Sequence, residues 1–123
     1  MFLWRIASHL LPTKDNLDKF LHFEDRYCPL CELEQESIIH LFLHCTVAKA
    51  LWFGSNQGIK SEYLPICHGA NLVSYILNPL VLFLSNIEVR KRFSLFGALI
   101  LDGIWKLRNH VVFEKRVLPL RIS

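Results

Sequence analysis

Three cysteines and two histidines fall within eighteen residues, "CPLCELEQESIIHLFLHC" at 28–45, in a chain with four cysteines and six histidines. Sulfur and imidazole donors at this density are the chemistry of a transition-metal site, and zinc suits them best. Cys28 and Cys31 have the x2 spacing that delivers two thiolates to one metal from a tight turn. The second pair of ligands must come from His40, His44 and Cys45. On an α-helix His40 and His44, four apart, share a face, whereas residues five apart are offset by about 140° at ~3.6 residues per turn. His40 and Cys45 can both reach one ion only if the helix ends or bends before Cys45. Thr46, a potential cap for a following helix, offers that break. The favoured set is Cys28, Cys31, His40 and Cys45, in the form C-x2-C-x8-H-x4-C. His44 is the spare, and its replacing His40 or Cys45 stays open.

Two other chemistries compete. A C-x-x-C redox pair normally sits at a helix start in a βαβ unit, and no such pattern is visible. Cysteine is also used as a small inert core residue, but packing alone gives no reason for three of four cysteines in one window. With four protein ligands a zinc ion has no place for an activated water, so the site reads as structural. Zinc of that kind ties a loop to a helix and supplies on the order of 10 kcal/mol in small zinc peptides. Elsewhere the chemistry is sparse. Cys67-His68 is an isolated fragment, His9, His22 and His110 lie on or beside apolar stretches, and the carboxylates at 24, 25, 32, 34 and 36 read as a solvated acidic loop. No phosphate loop, nucleophile elbow or isolated acid/base pair is present, so the chain reads as non-enzymatic. Trp4, Trp52 and Trp105 sit among apolar residues at helical spacing and are assigned to the core.

The elements that must position this cluster are mainly helical. The apolar spacing of "FLWRIASHLL" (2–11) predicts a helix that Pro12 should end. Thr13 then caps a second helix with Asp15 in its first turn. "HFEDRYCPLC" reads as loop. Ser37 caps a helix through "IIHLFLH", and Thr46 caps another through "VAKALWF", stopped by Gly54. Residues 54–71 are a polar connection, with a helix near 70–77. "LVLFL" after Pro79 fits strand or helix. From about 87 to 114 a period near 3.6 in Phe93, Phe96, Leu99, Ile100, Ile104 and Leu107 predicts one long helix or two abutting ones. "VVF" at 111–113 could begin a strand, and "VLPLRIS" reads as an extended end. The expected architecture is a mainly α, small zinc-stabilised helical domain with a long C-terminal helix. It divides into a zinc-binding region at 1–54, a connector of uncertain structure at 55–86 and a helical segment at 87–123.

The 123 residues suffice for one domain. An apolar fraction of 52% exceeds what a core of this size needs, and implies surface meant for a partner or a neighbouring domain. Charge is segregated. Residues 24–36 carry a net of −4 and residues 88–121 a net of +5, so a polyanion should prefer the C-terminal third. Arg90, Lys91, Arg92, Lys106 and Arg108 are the candidate nucleic-acid contacts, although the basic face of "VRKRF" at 89–93 has the plainer reading of a solvated surface. The longest apolar stretch, 72–84, is interrupted by Asn78-Pro79 and falls short of the ~18 residues a membrane span requires. No signal peptide is expected, since Arg5 and His9 interrupt the apolar N-terminal run. The chain therefore reads as intracellular, nuclear or cytoplasmic, with no membrane partner. Its thiols should then be reduced, which favours metal over disulfide.

"FLWRIASHLLPTKDNL", then "CPLC", then "ESIIHLFLHCTVAKALW", in this order and spacing, resembles the zinc-binding region of plant non-LTR (LINE-type) retrotransposon reverse transcriptases. The resemblance covers Phe2 to about Phe53. A second stretch, "GIWKLRNHVVFE" at 103–114, resembles the segment that often leads into an RNase H domain. By position the family's ligands fall on Cys28, Cys31, His40 and Cys45. The resemblance implies a piece of a retroelement polyprotein without its polymerase or RNase H domain, once in contact with neighbouring polyprotein domains. It implies a non-catalytic structural module, with nucleic acid as a candidate contact; the rivals are a protein-interaction or scaffolding module and a remnant without function.

Overall fold

The computed structural model describes residues 2–8, 10–17, 26–54, 60–61, 64, 66–77 and 87–122, with side chains at 17, 87, 89, 90 and 115–122 not among them. His9, His22, Glu24, Asp25, the run 79–84, much of the 54–71 connection and the Arg90 side chain lie outside the described residues. Among the described residues five α-helices and one π turn follow in order: α1 (Phe2–Ala7), α2 (Lys14–Leu17), the π turn (His40–His44), α3 (Thr46–Phe53), α4 (Gly69–Leu77) and α5 (Ile87–Ile122). Among the described residues the only β feature is a single antiparallel bridge, Tyr27 to Gln35.

The first helix is shorter than its apolar spacing predicts. It ends at Ala7, and the Leu10 amide donates to the Arg5 carbonyl (2.9 Å), a widened turn that begins the elbow before Pro12. Leu11 is buried in that elbow, and Thr13 precedes α2 with its hydroxyl donating to Asp15 Oδ1 (2.5 Å) rather than accepting from a first-turn amide. At the other end, Val111, Val112 and Phe113 do not begin a strand, and the tail is helical to Ile122 rather than extended. Each residue added to an existing helix gains a backbone hydrogen bond without a new nucleus, and this outweighs the strand preference of three residues.

α1 lies across α4, α4 packs on α5, and the π turn and α3 fill the space between. The α1–α4 crossing is close because Gly69 lacks a side chain: a Cβ there would fall inside contact distance of the Ile6 carbonyl oxygen. The core joins residues from every part: Ile6, Leu11, Phe42, Trp52, Leu72, Ile76, Phe93, Leu101 and Ile104. Edge-to-face ring pairs, Phe2–Phe42 (6.2 Å between centroids) and Tyr75–Phe93 (5.9 Å), link α1 to the π turn and α4 to α5. Trp52 and Trp105 are buried as expected, but Trp4 is 58% exposed, because the short α1 turns that face away from the core.

One buried ion pair fastens α5 to the loop that carries the cysteines. Arg108 donates from Nε to Glu36 Oε2 (2.8 Å) and from Nη2 to Glu36 Oε1 (2.7 Å), a bidentate fork with both side chains nearly inaccessible to water. Nη2 also reaches the Pro12 carbonyl (3.3 Å), the Lys14 amide donates to Glu36 Oε1 (2.7 Å), and the guanidinium lies 4.9 Å from the Trp105 ring centroid. This placement takes Arg108, a candidate nucleic-acid contact in the sequence, out of the surface.

Candidate metal centre

The first half of the site is a tight loop. The Cys28 amide donates to the Glu34 carbonyl (2.7 Å), the Glu32 amide donates back to the Cys28 carbonyl (2.9 Å), and the Glu36 amide donates to the Arg26 carbonyl (2.9 Å). Together with the Tyr27–Gln35 bridge these bonds close residues 26–36 into a narrow hairpin. Glu32 adopts φ 59° at its tip, the left-handed region that a non-glycine residue rarely enters. The turn thereby folds back between Cys28 and Cys31, and their sulfurs face the same way.

The second half is the π turn. Ser37 Oγ accepts from the His40 amide (3.1 Å), so Ser37 opens this segment as the sequence suggests. The Cys45 amide then donates to the His40 carbonyl (2.6 Å), an i→i+5 bond. A turn of that width brings residues five apart onto one face, where an α-helical turn would have brought His40 and His44 together. Cys45 itself is extended (φ −60°, ψ 141°) and is the N-cap of α3, which places the cap one residue before the expected Thr46. Two carbonyls at the end of the turn find side-chain donors: Trp52 Nε1 donates to Phe42 (2.7 Å) and Ser61 Oγ to Leu43 (2.6 Å). These bonds answer the orphaned acceptors that a helix end leaves behind.

Four donors converge as a result. Cys28 Sγ, Cys31 Sγ, the His40 ring and Cys45 Sγ all lie within 4.8 Å of one another. Cys28 Sγ and Cys45 Sγ are 3.8 Å apart, and Cys31 Sγ is 3.2 Å from His40 Nε2. Zinc–sulfur bonds of ~2.3 Å in a tetrahedron put two sulfurs about 3.8 Å apart, so the observed spacing fits such an ion. His44 is exposed and belongs to no such group, and Cys67 is likewise exposed and apart from the cluster. Cys28, His40 and Cys45 are buried and Cys31 is partly so.

The electrostatics suit a metal as well. The Cys28 thiol donates to Cys45, and that bond together with burial pushes the Cys28 thiol up. The same bond holds Cys45 down at about 7, against burial, with help from the Ala48 and Val47 amides at the start of α3. Burial lowers His40, against the pull of Glu34, so the ring is neutral near pH 7, the form that ligates. With Nε2 turned to the sulfurs, the buried His40 Nδ1 has no hydrogen-bond partner; the nearest anion, Glu34 Oε2, stands 3.6 Å away. A ligating histidine ordinarily offers its second nitrogen to such a carboxylate.

The set Cys3His is the donor chemistry of a closed structural zinc site, with no coordination place left over. No helix among the described residues is long and apolar enough to cross a membrane. No curated protein and no solved structure matches the chain. Residues 1–52, which contain all four converging donors, match the model of the family described as zinc-binding in reverse transcriptase.

Proposed function

We propose that this chain is a non-catalytic, zinc-stabilised module of a reverse-transcriptase-like protein, and that Cys28, Cys31, His40 and Cys45 are its ligands. The observation that carries this reading is the convergence of those four donors, within 4.8 Å, inside the segment that matches the family model. The work of the ion is to lock the 26–36 hairpin against the π turn, which in turn seats Glu36 for Arg108. Cys28→Ser is expected to release zinc and melt residues 24–53. Retention of one zinc per chain by that variant would refute the assignment. The finer reading, a LINE-type retroelement of plant type, is supported by "FLWR…LPT" before the cysteines and "WKLRNHVVFE" on α5.

A second reading, contact with nucleic acid, is favoured by the exposure of Lys91, Arg92 and Lys106 on α5. Lys106 is held at 2.8 Å by Asp102, also on the surface, and Arg108 drops out of the candidate set because Glu36 holds it inside. Binding through these residues should weaken steeply with salt, with a slope near −0.9 per phosphate neutralised. A salt-independent interaction would instead favour a protein-interaction or scaffolding role.

A further inference from the structure

Helix α5 carries an apolar stripe that the described parts of the chain leave open. Phe96, Leu99 and Leu107 are 37%, 56% and 39% exposed, and nothing lies within 4 Å of where a Cβ on Gly103 would sit. Phe96, Leu99, Ile100 and Gly103 form one wall of a groove of about 470 Å³ whose other wall is Ala50, Leu51 and Gly54. Leu51 is itself 43% exposed.

The stripe is symmetric in spacing about Gly103, with a leucine on each side and opposite charges at its ends. Leu99 and Leu107 stand four positions either side, Phe96 and His110 seven, and Arg92 and Glu114 eleven. Steps of four, seven and eleven residues all return to within about 40° of one helix face. A second α5 laid antiparallel over Gly103 therefore sets Leu99 against Leu107, Phe96 against His110 and Arg92 against Glu114, each pair occurring twice about a two-fold axis. Unlike charges meet at both ends of a span of about 33 Å, and at the axis the missing side chain lets two backbones approach. A parallel pairing would instead set Arg92 against Arg92 and Glu114 against Glu114. Glu114 already lies 3.6 Å from His110 in its own helix, which holds the carboxylate on this face.

We propose that α5 pairs antiparallel with α5 of a second copy through this stripe, with Leu107 of each seated against Leu99 beside α3 of the other. The assignment stands apart from the zinc reading, because it rests on none of the four ligands. Sedimentation equilibrium of the full chain should show a dimer. Arg92→Glu alone and Glu114→Arg alone should each weaken it about tenfold, since each turns two attractive contacts into repulsive ones. The double variant R92E/E114R should restore it, as should mixing the two single variants in equal amounts, because each residue 92 then meets a residue 114 of opposite charge; in a parallel pair the double variant would gain nothing. Circular dichroism of each variant checks that the exposed substitutions leave the fold intact. A chain that stays monomeric at millimolar concentration would overturn the proposal, as expected if another protein or domain covers the stripe. So would a dimer indifferent to both charge reversals, or one that the mixture does not restore.

Discussion

Residues five apart diverge on an α-helix, yet His40 and Cys45 face one centre because the segment between them is a π turn closed by the Cys45 amide on the His40 carbonyl. The ligand types and the need for a break before Cys45 were readable from spacing. The π turn was not, because patterns of 3.6 and 2 residues carry no signature for it. The same geometry makes His44 dispensable: His44→Ala should keep full zinc stoichiometry, and loss of the metal from that variant would mean that the imidazole set is misassigned. Glu34 is the nearest group to the unpartnered His40 Nδ1 but is largely in water. Glu34→Gln should therefore weaken zinc affinity by about tenfold, the low end for an outer carboxylate, in a competition titration with a chelating dye. Acid should loosen the site further. Cys45, held at about 7, is a thiolate above that pH and takes up a proton below it. Zinc must displace that added proton, so affinity should fall as pH drops through 7 and be less pH-sensitive just above it.

The elements were more readable than their contacts. α3, α4 and α5 follow from apolar spacing and from Gly54, whereas the early end of α1 reflects a widened turn at Leu10 that its apolar residues do not mark. The sequence puts Arg108 among the candidate nucleic-acid contacts, which must be exposed, as a helical arginine usually is. Its partner lies 72 residues away in sequence, and no local pattern announces it. Removing one member of such a pair leaves a buried charge, so Arg108→Ala should cost about 3–5 kcal/mol in urea unfolding. The joint replacement Glu36→Leu with Arg108→Met should cost much less, since neither charge is then stranded. Equal losses in the single and double variants would show that packing, not charge, is what Arg108 supplies. Gly69 serves the α1–α4 crossing in a different way. Gly69→Ala must push α4 off the Ile6 backbone, at a cost of about 1–3 kcal/mol.

At the scale of the molecule, the matched segment at 1–52 and the long helix share one core. Phe93, Leu101 and Ile104 of α5 are buried with Ile6, Phe42 and Trp52. A fragment of residues 1–54, ending where Gly54 stops α3 and the family resemblance ends, should therefore lose those contacts and show poor dispersion in NMR spectra even with zinc. The excess of apolar residues that composition revealed survives in the fold as the open stripe on α5 and the exposed Trp4. All of this depends on an ion held by three sulfurs and one imidazole. Native mass spectrometry of the purified chain, with and without a strong chelator, measures that directly. The account expects one zinc per chain, removed by the chelator together with helical order and not taken up by Cys28→Ser. A chain that folds with no bound zinc, or a Cys28→Ser variant that still carries one, would contradict it.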